Sequence, residues 1–554
     1  MSEQSEISDS EMENLDQMSN VSEYDSDLSS FEDEDYDSED DVALPSFFSS
    51  TVCSDSDDEM EEEDYREVLS PEEPQPPPFS FQELPGPKHM PPPDSPPIAY
   101  FYLFFTSSLL SLMVEETNRY AEQVRNGLGN NVPSYLKNWT KVSVPEIKGF
   151  LACILKMCLD KKPTIAFCWS TSPTCYVPWF HKMFSKQRFF HLLRFFHLVD
   201  NTTLPGRRES DYDPRAKFQP ILDHANRVYR HHYTPHQEIS VDESLVGFKN
   251  RITVFPKRRL LWGIKFWIII DLVSKYCLGF FAFKEARSQQ EERSISKFGL
   301  GYTVVRKLLE TGLYLNKGYH VFVDRYFMSM PLVRHLYSLQ TYITGTVWRS
   351  RKMLPQPFKK KFAAGETSYF RSGPILACGF REKKLENNLV FLLSTHALAR
   401  DIEVIRNGKA ELKPEIIQNY NEYIWGFEIP YMMTFAQMAE GRTVKYWKKV
   451  AFDIMINMVL NSYILYKENC AGPIVKSRDA YFMALIKSLE EDWMAMNLTI
   501  NNPQEPKGLK KLLGRRKARC CVCSSSSRSR RRSGTVCTHC NKGLHGKCLS
   551  KHKC

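Results

Sequence analysis

YHVFVDRYF, residues 319–327, packs His, Val, Phe and Val ahead of a single acid, Asp324. A short apolar run rich in β-branched and aromatic residues reads as a buried strand. EISVDESLVGF, residues 238–248, repeats the arrangement with Asp242. One acid after a strand ordinarily caps a helix or shapes a turn. Two on neighbouring strands, joined by a third from a following helix, can share divalent cations, and carboxylate oxygens suit Mg²⁺ or Mn²⁺. Ions held roughly 3.5 to 4 Å apart in this way assist phosphodiester chemistry.

Between these strands lies KFWIIIDLVSKYCLGFFAFK (265–284), two apolar runs about a hairpin turn, with Asp271 at the turn and no role in chemistry. GLGYTVVRKLLETGLYLN (299–316) follows as an amphipathic helix closed by Asn316 and Gly318. Beyond an irregular block with short strands such as NNLVFLLST, YNEYIWGFE (420–428) carries the third acid, Glu428. TVKYWKKVAFDIMINMVLNSYILYKEN (443–469) is a long helix, apolar on a broad face. Upstream, the periodicity of AYFYLFFTSSLLSLMVEETNRYAEQ, EIKGFLACILKMCLD and SKQRFFHLLRFFHLVDN makes 98–235 helical. His191 and His197 sit there among aromatics, as packed side chains and not ligands.

Charge is distributed unevenly. The chain of 554 residues has a net charge of +7, yet residues 1–70 hold 26 Asp and Glu against Arg66 alone. The remainder therefore carries 72 bases and 40 acids, the sign expected of a nucleic-acid partner, and double-stranded DNA is the partner expected of the chain as a whole. Residues 1–70, Ser mixed with acids, read as a disordered arm, and 71–97 as an extended proline-rich linker. The N-terminal MSEQSEISDS lacks a secretory pattern and no apolar run is long enough for a membrane span, so an intracellular protein without a membrane partner is expected.

Seven of the 15 cysteines crowd the end. Cys520 and Cys523 form CxxC, Cys537 and Cys540 a second CxxC, His545 and Cys548 an HxxC, and His552 with Cys554 a final pair. In a reducing compartment such crowding favours metal over disulfides, and eight thiolate and imidazole ligands suffice for two tetrahedral Zn²⁺ ions. A cross-brace would place Cys520, Cys523, His545 and Cys548 on one ion and Cys537, Cys540, His552 and Cys554 on the other. Cys521 in place of Cys520, or a sequential pairing, stays open. From Lys507 onward there are 15 Lys and Arg and no acid, a field suited to phosphate contacts, and KKLLGRRKAR and RSRRR read as nuclear import signals. A RING- or PHD-like reader of chromatin proteins would use a similar cross-brace.

The order strand acid, hairpin, helix, strand acid, helix acid is that of an RNase H-like nucleotidyl transferase core. VDESLVGFKNR, LWGIKFWIIIDLVSKY, GYHVFVDRYFMSMPLVRHL, TGTVWRSRKMLP, YNEYIWGFE and VLNSYILYK, preceded by CWSTSPTCYVPWFHKMFSKQRFFHLLRFFHLVDN, together resemble a piggyBac-type transposase over about 98 to 470. The resemblance implies an α/β fold: a helical DNA-binding and dimerisation region (98–235), a DDE-type core (236–351 and 416–475) interrupted by a β insertion (352–415), a basic linker (476–519) and a zinc domain (520–554) that binds DNA. It implies Asp242 and Asp324 as the first two catalytic acids and Glu428 in the third place, with Mg²⁺ or Mn²⁺ as cofactor, TTAA-type targets and a second copy of the chain as partner. This sequence departs from the family where a further acid reads Tyr431, where a Gly-Gly pair reads Trp425-Gly426, and where the usual Asn after the second acid reads Arg325. The expectation is a nuclear DNA-binding descendant with an eroded catalytic site.

Overall fold

A computed structural model describes residues 64–552, apart from 70–78, 249–261, 426–444, 502–508, 524–531 and several stretches of six residues or fewer. The expected disordered arm falls mostly on residues 1–63, outside those described.

The central sheet contains β1 (Glu238–Phe248), β2 (Trp262–Asp271), β3 (Cys277–Ala282), β4 (His320–Val323), β5 (Tyr342–Thr346), β6 (Thr367–Ser372), β7 (Ile375–Arg381) and β8 (Leu389–Ser394). Their spatial order is β3-β2-β1-β4-β5-β8-β7-β6, with the short strand Arg66–Glu67 on the outer edge. β1, β4 and β5 are parallel, and all other pairings are antiparallel. The first five strands thus have the RNase H-like order. Burial on both faces explains why β2 reads WGIKFWIIID without clean alternation. The segment 352–415 interrupts the core in sequence but not in space. Its strands β6–β8 extend the same sheet from β5, because Leu376, Cys378, Phe380 and Leu392 bury one face while Ile375, Ala377, Phe391 and Leu393 bury the other. Among the described residues of this segment, the hairpin of β9 (Asp401–Arg406) and β10 (Lys409–Pro414) pairs separately from the central sheet.

Helices α1 (Pro97–Phe104), α2 (Ser107–Gly127), α3 (Val144–Leu159), α4 (Lys186–Phe195) and α5 (Gln219–His232) precede the sheet. Thr106, Ser143 and Ser185 accept the N-terminal N–H bonds of α2, α3 and α4. Glu146 in the first turn of α3 is gripped by Arg188 of α4 through two bonds of 2.7 and 2.8 Å. His191 and His197 are buried as expected of packed side chains, with His197 stacked on Tyr120.

Helix α6 (Gln289–Gly312) crosses from β3 to β4 and α7 (Met330–Ser338) from β4 to β5. Helix α8 (Glu415–Trp425) covers one face of the sheet through Ile416, Ile417 and Tyr420, packed with Phe322 and Leu392. Helix α9 (Tyr446–Asn469) packs against the opposite core, which includes Val241, Val323 and Ile343.

Two expected linkers prove to be packed. Within 476–519, α10 (Arg478–Asn501) buries Tyr481, Phe482, Leu485, Ile486, Leu489 and Trp493. These positions recur at helical spacing, so apolar burial wins over the tendency of an exposed linker to stay extended. Trp493 lies on α3 at Gly149, where any Cβ would come 2.7 Å from the indole. From Phe79 the proline-rich 71–97 is a strap laid on the body. Phe79 meets Tyr337 and Tyr342, Glu83 binds Lys317 at 2.6 Å, and Gly86–Pro87 pairs with Tyr233–Thr234. Its aromatic side chains anchor what proline alone would leave free.

Candidate functional site

Val241 of β1 and Val323 of β4 are register partners in the parallel pair. Asp242 and Asp324 are the next residues along each chain, so they emerge side by side at the carboxyl end of the pairing, on strands about 4.8 Å apart. Ligands of α/β folds bind at such carboxyl ends. Asp242 is not the end of its strand, since β1 continues to Phe248 against β2.

Helix α8 passes close to both acids. Tyr420 of that helix donates its hydroxyl to Val323 O at 3.2 Å and lies against Phe322. Burial, together with the negative charges of Asp324 and Asp242, pushes its hydroxyl up to about 12. One phenol thus senses both carboxylates. Asp324 is also a turn former: its Oδ1 accepts the Tyr326 N–H at 2.8 Å. Burial raises its pKa, and the negative charge of Glu243 works in the same direction against that N–H bond. An acid pair so placed gains from a counter-cation. The oxygen-only donors fit a hard divalent ion.

Glu428 and Tyr431 lie outside the described residues, as does Gly426. Arg325, directly after Asp324, carries its guanidinium 4.0 Å from the ring centroid of Trp348. Asp271 stands at the other end of the sheet, paired with Ile239. It is fully buried and accepts bonds from His236, Val273 and Ser274, a turn-organising role.

The tail folds on a few short strands, among them Leu509–Lys511 paired with Thr535–Cys537. The ligand atoms of Cys520, Cys523, His545 and Cys548 lie within 4.8 Å of one another. His545 Nε2 is 3.1 Å from Arg532 O. A carbonyl only accepts, so Nε2 carries the proton and Nδ1, 3.4 Å from Cys523 Sγ, offers its lone pair to the cluster. Burial alone would raise the Cys520 thiol. The N–H groups of Cys523, His545 and Val522 outweigh it and bring it down to about 6, toward a thiolate. Gly543 permits this closure, because a Cβ there would fall 2.4 Å from Arg519 O. Three sulfurs and one imidazole are a donor set that suits Zn²⁺.

Of the other four expected ligands, Cys540 and Cys554 lie outside the described residues. Cys537 is buried at the end of its strand, and His552 is buried with Nδ1 3.4 Å from Cys521 Sγ. Cys520 therefore turns into the cluster and its neighbour Cys521 away from it, toward His552. Adjacent cysteines cannot be told apart by spacing; their tertiary contacts distinguish them, and the Cys521 N–H is bonded to Gly543 O.

A sheet of RNase H-like order, with two aspartates at the carboxyl end of its parallel β1–β4 pairing, is the fold of a DDE-type transposase core. The family model described as Transposase IS4 matches residues 96–463. The chain belongs to the piggyBac-type transposase family. Human PiggyBac transposable element-derived protein 2 is 23% identical over 60% of this chain and 54% of its own length. Human PiggyBac transposable element-derived protein 5 is 21% identical over 73% of this chain and 77% of its own. This chain therefore spans about half the length of the first of these relatives. A solved structure described as a cryo-EM piggyBac transposase synaptic complex with hairpin DNA is similar in fold, with a TM-score of 0.63 and 22% identity over 83% of this chain and 97% of that one.

Proposed function

We propose that this protein is a DNA-binding descendant of a piggyBac-type transposase, acting in the nucleus, in which strand cleavage has been lost. The observation that carries the reading is a Cys₃His cluster inside a segment holding 15 Lys and Arg and no acid. Such a domain presents a rigid cationic surface to phosphates. The relatives' names, which describe element-derived proteins, agree with descent without transposition. Loss of cleavage is supported by Arg325, a cation next to the second acid, and by Tyr431 at the place of a further acid.

A second reading, an active transposase, is favoured by the register of Asp242 and Asp324. With Glu428 they would hold Mg²⁺ or Mn²⁺, which supplies charge neutralisation and an activated oxygen at a phosphodiester. In this chain the Tyr326 N–H holds the Asp324 carboxylate, and the Tyr420 hydroxyl binds the adjoining Val323 carbonyl. Zn²⁺ would be structural, held by the tail.

Binding of the purified full chain to duplex DNA, measured across salt concentrations, tests the main reading. Six or more phosphate contacts predict roughly a thousandfold loss of affinity between 50 and 200 mM salt. Salt-insensitive binding to a histone peptide, with no affinity for duplex, would overturn it in favour of a chromatin adaptor.

A further inference from the structure

Beside the acid pair stands an aromatic side chain that the reading above leaves unused. Gly345 of β5 is the register partner of Val323, so Trp348 lies just past the strand that flanks Asp324. The indole is 49% exposed, with the Arg325 guanidinium 4.0 Å from its centroid. A large apolar ring half in water, stacked with a planar cation, is characteristic of a surface that takes a partner.

The loop that presents it is held firmly. Arg351 N–H closes a turn onto Trp348 O, Arg349 donates to the carbonyls of Lys359 and Lys360 at 2.8 and 2.9 Å, and Phe358 is buried beneath. From Val347 to Lys361 the sequence has several Lys and Arg and no acid. A partner here is therefore anionic and carries a flat face.

We infer that Trp348 and Arg325 form a platform for one unpaired DNA base, the indole stacking on the base and the guanidinium meeting the adjoining phosphate. In an intact duplex every base already stacks on its neighbours, so the platform selects a frayed end, a flap or a flipped nucleotide positioned beside Asp242 and Asp324. Base–aromatic stacking is tolerant of base identity, so the site reads strand state and not sequence. This inference rests on the DNA-binding reading.

The test uses the full chain without divalent metal, a blunt duplex, and the same duplex carrying an unpaired fluorescent adenine analogue at one end. Wild type should bind the second about five- to hundredfold more tightly than the first and quench the analogue. Trp348→Ala should erase both effects while leaving blunt-duplex affinity unchanged, and Trp348→Phe should retain most of the preference. Equal quenching and preference in Trp348→Ala, or no preference in wild type that still binds blunt duplex, would overturn the platform and leave the DNA-binding reading intact. Wild type that binds neither DNA would overturn both.

Discussion

The two candidate ion sites are built on opposite principles. The acid pair is assembled by a sheet from residues 82 positions apart, and the sheet stands on a large apolar core whether or not a cation is present. The Cys₃His cluster draws its ligands from residues 520–548, around a core of little more than Cys520, Cys537 and Leu544. Scaffold precedes site in the first, and site precedes scaffold in the second. A small domain of this kind depends on its metal for folding.

The comparison breaks most visibly on metal removal. Cys523→Ser should abolish an interaction worth roughly 10 kcal/mol or more to the tail. The expected result is one fewer zinc per chain and rapid proteolysis after Lys507, with the melting of the main body unchanged. A protease-resistant tail with full zinc content would show that the cluster does not hold the domain together.

On the scaffold side, Trp493 is buried on α3, stacks on Phe184 and donates to Met183 O at 2.8 Å. Trp493→Ala should lower stability of the main body by about 3–5 kcal/mol, read by denaturant unfolding. A change under about 1 kcal/mol would mean that α10 is no part of that core.

The same core contains His197, whose pKa burial pushes down to about 2, with nearby lysines such as Lys448 acting in the same direction. Its Nε2 accepts from Asn201 at 3.2 Å, and Nδ1 faces Phe195 O. The unfolded chain takes up a proton near pH 6.5 and the folded chain does not, so stability is full above that pH and falls below it. Between pH 7 and 5 the loss should be about 2 kcal/mol from this residue. His197→Gln should flatten the slope; an unchanged slope would contradict the burial of a neutral ring.

The smallest effect belongs to the acid pair. Since burial raises its pKa, the ionised Asp324 is a cost to the metal-free fold. Asp324→Asn should leave stability equal or higher by under about 1 kcal/mol. It should also remove any rise in melting temperature that Mn²⁺ produces in wild type. Loss of stability in the variant without metal would show the carboxylate to be structural.

Legibility in the sequence followed the same division. The strand runs that carry Asp242 and Asp324 are legible because strands buried in a sheet are rich in apolar and β-branched residues, and the CxxC and HxxC spacings are local. Helix α10 lies in a stretch whose neighbouring bases point to an exposed linker, although Tyr481, Phe482, Leu485, Ile486 and Leu489 recur at helical spacing and are buried. The strap at Phe79–Pro87 depends on partners more than 200 residues away, which no local pattern reveals. Likewise Tyr420, Trp348 and the turn of Cys521 toward His552 gain meaning only from register and tertiary contact.

The most direct measurement is a cleavage assay on a duplex carrying piggyBac-type ends, in Mg²⁺ and in Mn²⁺, with Asp324→Ala alongside. A protein that has kept the grip of its ancestors without their chemistry should bind this DNA and leave every strand whole. Nicks that need the divalent ion and vanish in the variant would contradict that account.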